Sequence, residues 1–386
     1  MEPPELERAV GMRCYKSGAE GVGGVIKQVP EDFIVEEIAE ERLEEEGQYI
    51  HFTLEKKNWD TLRAIKEISQ RLRVSQKRLG FAGTKDRRAV TRQRVSVWDV
   101  KLEDLEKVSI KDIMLSDFSH SDDRINLGDL EGNRFSVTVR KIVLPEDEVR
   151  RRVDAIAGEL SSGFPNYYGV QRFGIQRPIT HLVGREILRG DFNEAVRIYL
   201  GKSFGVEEGE SDSARQRFWE SGDYGEAIRS FPKHLGYEHA LLNHLVKKPT
   251  DHVGALRNIP QKLRWMFVHA YQSYVFNLAL SEYIRKGFDV ERLPLPGYET
   301  QLDEVTASIL DGENVSPEDF KVGRMPELSS KGEYRDCFIP VMDSRFESAG
   351  GDELNAGFTK VIISFSLPKG CYATSLLREY LKGEYW

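Results

Sequence analysis

The 386-residue sequence is poor in cysteine, has no long apolar run and carries no metal or nucleotide signature. Its three cysteines, Cys14, Cys337 and Cys371, are odd in number, far apart and without zinc-site spacing. A disulfide framework is not expected, and a reducing compartment is. No stretch approaches the roughly 18 apolar residues that a membrane helix requires. The opening Met1-Glu2-Pro3-Pro4-Glu5-Leu6-Glu7 is acidic and offers no apolar signal segment. The expectation is a cytoplasmic protein with no membrane attachment. The glycines of residues 18–24 lack the flanking strand and helix and the Gly-Lys-Ser/Thr ending of a phosphate loop, so they read as a turn. His234, His239 and His244 recur every five residues, which does not keep them on one helical face, and no His-Glu-x-x-His occurs. They read as surface or packing histidines, and no metal is expected.

Acids are nearly missing from one region. Between residues 71 and 94 the charged side chains are Arg71, Arg73, Lys77, Arg78, Lys85, Arg87, Arg88, Arg92 and Arg94, with Asp86 as the only acid. The net charge of −8 therefore does not exclude a basic face, because much of the negative excess sits in residues 31–46 and 207–212. A lone carboxylate beside Lys85, Arg87 and Arg88 has its ionised form favoured, which suits a nucleophile or base. The plainer reading is a solvated turn with one paired aspartate. Gly80 and Gly83 offer unusual backbone conformations and close approach. A basic field around one acid is what an enzyme acting on a polyanion needs.

Hydrophobic patterning gives strands over residues 24–29, 33–38, 49–54, 94–98, 135–139 and 360–365. Asp60 or Thr61 can cap a helix with Leu62, Ile65, Ile68 and Leu72 on one face. A charged helix is expected over residues 145–160 and another over 374–382. Residues 179–200, 213–231, 237–246 and 263–285 read as helices, so a mixed segment is interrupted by a helical block. The stretch Asn166-Tyr167-Tyr168-Gly169-Val170-Gln171-Arg172-Phe173-Gly174 mixes aromatics, amides and an arginine, as base stacking and phosphate contact require. Tyr271-Gln272-Ser273-Tyr274-Val275-Phe276-Asn277 is similar, although helical spacing favours a core role. Phe135 follows Asn133 and Arg134 in an alternating strand, where a structural aromatic is the default.

Four blocks in order resemble the tRNA pseudouridine synthase D (TruD) family. They are residues 24–36, 81–91, Gly132-Asn133-Arg134-Phe135 joined to residues 165–174, and residues 367–379. The segment from Tyr271 to Asn277 is similar to the archaeal and eukaryotic branch, and the chain as a whole is placed in the archaeal one. The resemblance implies an α+β pseudouridine synthase fold with a mixed, largely antiparallel central sheet. Residues 1–165 and 340–386 would form the catalytic domain, and residues 166–339 a mostly helical insertion, the TRUD domain. It implies conversion of uridine to pseudouridine in tRNA, at position 13 of the D arm, without cofactor.

By the same resemblance Asp86 is the catalytic aspartate, acting as nucleophile or base, and Lys27 its basic partner. Phe33 and Asn133 match positions that hold the target nucleotide, Phe135 the aromatic that stacks on its base, and Lys85 a lysine beside the reactive acid. Tyr372 falls where bacterial members carry phenylalanine and adds a hydroxyl. Arg87, Arg88 and Arg172 are expected RNA contacts. The expected partner is tRNA, with a monomer and no obligate protein partner. A non-catalytic RNA-binding or RNA-folding protein on the same scaffold, and a glycosidase-like enzyme releasing free base, remain as alternatives.

Overall fold

Strand Gly132–Ile142 shows why the sheet forms where it does. Phe135, Val137 and Val139 point to one face and are buried, while the residues between them are more exposed. The computed structural model describes residues 2–39, 46–205, 207 and 209–383; part of the acidic run, residues 40–45, lies outside them. The chain divides into two compact units, Lys16–Phe164 with Ile339–Trp386, and Met1–Tyr15 with Pro165–Phe338.

The first unit holds an eight-stranded sheet. Its strands are β1 (Phe33–Ile38), β2 (Tyr49–Lys57), β3 (Leu79–Phe81), β4 (Val90–Trp98), β5 (Ile113–Ser121), β6 (Gly132–Ile142), β7 (Met342–Gly351) and β8 (Thr359–Pro368). Their order is β7-β8-β6-β1-β4-β2-β5, with β3 also on β4. Only β1 and β4 run parallel; the other pairs are antiparallel. The fold class is thus the mixed, largely antiparallel α+β sheet expected from the sequence.

Two helical patches cover the buried face. Phe33, Val35, Phe135, Val137, Ile363 and Phe365 pack against helices Glu146–Glu159 and Ala373–Leu381. Ile50, Phe52, Leu54, Val95 and Val97 pack against helix Thr61–Arg71 through Ala64, Ile65 and Ile68. Full burial of a residue such as Ile68 stabilises by about 1.5–3 kcal/mol. Asp60 caps that helix by accepting from the Arg63 N–H at 3.0 Å. Leu62, expected on its apolar face, is instead 57 % exposed.

The strand expected over residues 24–29 does not form. Gly24 and Lys27 adopt φ of 90° and 58°, outside the extended range, and Val25 makes only an isolated bridge to Arg140. Arg140 anchors this irregular segment. Its guanidinium, 7 % exposed, pairs with Asp32 at 2.6 Å, Asp352 at 2.8 Å and Glu353 at 3.0 Å. Burial works against its charge, but the three carboxylates outweigh it and raise its pKa. Burial also opposes the charge of Asp352, yet hydrogen bonds from the Lys141 N–H, the Asn355 amide, the Leu354 N–H and Arg140 pull its carboxyl down to about 2.

In the second unit the long helix Gln261–Lys286 is central. Gly184 of helix Thr180–Leu188 lets it approach closely: a Cβ there would lie 2.0 Å from the Phe267 carbonyl oxygen. Residues 179–200 and 213–231 each form two helices, because Gly190 and Gly222 take left-handed φ and Asp191 and Asp223 cap the helices that follow. The first 15 residues belong to this unit, not to the sheet unit expected for residues 1–165. Asn277 donates to the Val10 carbonyl and Ser281 to that of Gly11, each at 2.9 Å, so two buried polar groups of the long helix hold the segment.

The Asp352 carboxyl is depressed in the folded protein, so its stabilisation is present above its unfolded value near 4 and lost as pH falls toward 2. Asp352→Asn is expected to destabilise the sheet unit by about 3 kcal/mol at neutral pH. Its acid unfolding between pH 4 and 2 should be flatter than that of the wild type, as read by chemical denaturation across pH.

Candidate active site

The register of the sheet assembles the site. Successive strand residues alternate faces, so paired positions place Lys56, Thr91, Val35, Phe135 and Phe365 on one face, with Gln93, Glu37, Asn133 and Leu367 beside them. Strand β2 pairs along the whole of one edge of β4. On the other edge, β1 reaches Val90–Arg92 and β3 covers Val95–Val97, which leaves Gln93 and Arg94 without a strand neighbour. Glu37 fills that gap. Its Oε1 accepts from the Arg94 N–H at 3.2 Å and its Oε2 pairs with the Lys85 ammonium at 2.6 Å.

The loop carrying Asp86 spans the same gap. The Gln93 amide donates to the Gly83 carbonyl at 2.9 Å, and the Lys85 N–H donates to Thr61 Oγ1 at 3.0 Å. Lys56 Nζ donates to the Asp86 carbonyl at 2.9 Å and to that of Lys85 at 3.5 Å. Gly80 is required for close packing, since a Cβ there would lie 2.3 Å from the Ile125 carbonyl oxygen. Gly83 has open space and no left-handed φ, so the conformational freedom expected of it is not used.

Anchored this way, Asp86 leaves its side chain 49 % exposed. Lys27 Nζ donates to its Oδ1 at 2.9 Å, while Oδ2 has no hydrogen-bond partner among the described residues. The same ammonium lies 3.9 Å from the centre of the Phe33 ring. Phe33 meets Phe135 edge-on at 6.0 Å, and Phe135 stacks on Phe365 at 5.3 Å. Asp86, Lys27, Phe33 and Phe135 therefore form one contiguous chain of contacts. Lys27 holds a left-handed φ of 58°, a strained conformation for a lysine that places its side chain here.

Several residues occupy places other than those the sequence suggested. Lys85, expected beside the carboxylate of Asp86, pairs with buried Glu37 and is 6 % exposed. Phe33 is 1 % exposed and lies beneath Lys27, where it supports the ammonium and does not present a face to a ligand. Phe135 is 6 % exposed. Asn133, half-buried, sits opposite Glu37 and Leu367, and its Oδ1 has no hydrogen-bond partner among the described residues. Tyr372, also half-buried, is the N-cap of helix Ala373–Leu381, which follows β8. Arg87 and Arg88 are exposed, and Arg88 donates to the Gln28 carbonyl at 2.8 Å.

Arg172 belongs to the helical unit, with its guanidinium 5.7 Å from the Tyr168 ring. The aromatics around it are committed to the core: Tyr167 and Phe173 are fully buried and Tyr168 nearly so. Tyr271, Val275, Phe276 and Asn277 are likewise buried, which settles that stretch as core. The three histidines have separate partners, His234 at Ser211, His239 at the Phe231 and Pro232 carbonyls, and His244 at Asp251. The sequence does not single out Lys56, Gln93 or Glu37 as site residues, and offers Thr61 only as a candidate helix cap. The signal for Lys56 was present, since it follows Ile50, Phe52 and Leu54 in phase on the apolar face of β2.

The chain is similar to known proteins over nearly its whole length. The family model described as tRNA pseudouridine synthase D (TruD) matches residues 9–293 and 290–380. "Probable tRNA pseudouridine synthase D" of Methanosarcina mazei is 38 % identical, covering 99 % of this chain and 98 % of that relative. The protein of the same description from Archaeoglobus fulgidus is 38 % identical, covering 98 % of this chain and all of the relative. A crystal structure described as that of the "Putative tRNA pseudouridine synthase D (TruD) from Methanosarcina mazei" superposes with a TM-score of 0.91 at 38 % identity, covering 99 % of each chain. A match of this extent, over both the sheet unit and the helical unit, shows that the chain belongs to the tRNA pseudouridine synthase D family.

Proposed function

We propose that Asp86 is the reactive carboxylate of this tRNA pseudouridine synthase and that its target is the uridine at position 13, in the D arm. The observation that carries the assignment is the divided state of its carboxylate. One oxygen is oriented by Lys27, the other faces outward, and the backbone behind both is held by buried side chains.

Pseudouridine formation breaks the N1–C1′ bond, turns the uracil and rejoins it to C1′ through C5, with loss of the C5 proton to a base and uptake of a proton at N1. Atoms balance within the substrate, so no external donor or acceptor is consumed. Asp86 begins the reaction either by attack of its free oxygen on C1′ or by removal of a ribose proton. In both routes Lys27 orients the carboxylate and offsets its charge. The uridine must leave its stack before C1′ can be reached. Asn133 carries a buried amide oxygen, without a hydrogen-bond partner among the described residues, whose chemistry suits the N3–H of uracil, and Phe135 with Tyr372 supplies an aromatic boundary. Arg87 and Arg88, exposed and directly following Asp86, suit the phosphates that flank an extruded nucleotide. Arg172 is the corresponding candidate on the helical unit.

Incubation of the purified protein with unmodified tRNA transcripts, with pseudouridine mapped to single nucleotides, tests the reading. Wild type should modify one D-arm site, and Asp86→Ala should give no product while still binding tRNA. Lys27→Met should lower the single-turnover rate on the order of 100-fold and change tRNA affinity much less. Product from Asp86→Ala would rule out the mechanism, and binding without product in wild type would favour an RNA-binding role. Replacing Arg87 and Arg88 together by alanine should weaken tRNA binding and flatten its dependence on log salt by about 1–2 in slope.

A further inference from the structure

Lys56 is the least expected side chain beneath the site. It is fully buried, on the face of β2 that Ile50, Phe52 and Leu54 devote to the core. A buried ammonium costs several kcal/mol unless its protons are well placed. An apolar residue at this position would continue the pattern of the strand without that cost. Two of its three protons are used directly beneath the proposed reactive residue, on the carbonyl oxygen of Asp86 at 2.9 Å and, more loosely, on that of Lys85 at 3.5 Å.

We propose that Lys56 is a positioning residue for the isomerisation, a buried clamp that fixes the backbone of Asp86 and thereby the direction in which its carboxylate meets the substrate. The inference rests on the reading of Asp86 as the reactive group. Its geometric basis is the small number of torsions left free. Gly83 and Lys85 are tied by Gln93 and Thr61, the Asp86 carbonyl by Lys56, and Oδ1 by Lys27. With the main chain held on both sides, the carboxylate has little freedom to swing away from C1′.

The clamp is also charged, and that makes it separable from ordinary packing. Burial brings the Lys56 ammonium down to about 8; Asp86 and Asp60 favour its charged form and Lys85 opposes it. Its strand neighbours across β4 and β5, Thr91 and Ile113, are uncharged, and Glu37 is engaged by Lys85. As pH rises past about 8, Lys56 loses a proton, and with it the positive charge under the loop that strengthens its bonds to the two carbonyls. Turnover should fall in that range. Asp60 is exposed and serves as the helix cap, a role asparagine fills nearly as well, so Asp60→Asn perturbs Lys56 without touching the site.

The experiment is single-turnover pseudouridine formation and tRNA binding for wild type, Lys56→Met, Asp60→Asn and Asp86→Ala from pH 6 to 10. Lys56→Met should slow the chemical step on the order of 100-fold at neutral pH, with tRNA affinity within about threefold of wild type. Asp60→Asn should match wild type at neutral pH, but its alkaline loss of rate should begin a few tenths of a pH unit lower. A wild-type rate in Lys56→Met, or a loss confined to binding, would overturn the clamp. So would an alkaline limb in Asp60→Asn that coincides with wild type, which decides the matter even where Lys56→Met fails to fold. No product from wild type, or product from Asp86→Ala, would instead overturn the assignment of Asp86 itself.

Discussion

A carboxylate that attacks or deprotonates a bulky polyanion has to face outward, yet it must not move. Exposed loops are the least constrained part of most structures. In the role proposed for Asp86 both demands are met by tying the backbone of its loop to side chains that rise from the buried face of the sheet. Gln93 and Lys56 come from two neighbouring strands and Thr61 from the start of the adjacent helix. The rest of the sheet unit can be understood from that requirement. The helix Thr61–Arg71 both covers the core and supplies an anchor, and the short β3 ends where the loop must leave the sheet.

The same requirement accounts for the buried charge. Lys85 and Glu37, at 6 % and 1 % exposure, form an ion pair whose net contribution to stability is small once desolvation is counted. Its value is geometric, since Glu37 also satisfies the Arg94 N–H that no strand reaches. Lys27 is held from the opposite side by a different device. The segment containing it is too irregular for a strand, and the carboxylate cluster around Arg140 fixes the turn that follows it. Two separate networks of buried charge thus converge on one exposed aspartate.

Much of the sheet could be read from the sequence because half-buried strands declare themselves by alternation. β1, β2, β6 and β8 have such patterns, and each was expected near its observed place. The edge strands β5 and β7 were not, because they are mostly exposed or polar and lack a repeating apolar face. Glycine and aspartate at residues 190–191 and 222–223 broke two expected helices into four, a local signal that length and apolar content concealed. The first 15 residues carry too little pattern to reveal their unit. Their place follows from hydrogen bonds to Asn277 and Ser281, more than 260 positions away in the chain.

The sequence alone determined the family and singled out Asp86 as the candidate for its reactive residue. Asp86 stands as the only acid in a long basic stretch, and the motifs around it recur in order along the chain. Those features are local and need no fold to be seen. The tertiary structure decided which cation serves which acid. Adjacency in sequence offered Lys85, Arg87 and Arg88 to Asp86 and the family resemblance offered Lys27; the strand gap turns Lys85 inward to Glu37, and Lys27 reaches the carboxylate across 59 positions. Pairing depends on distance and desolvation, and both are set by strand register, which no single segment of the chain contains.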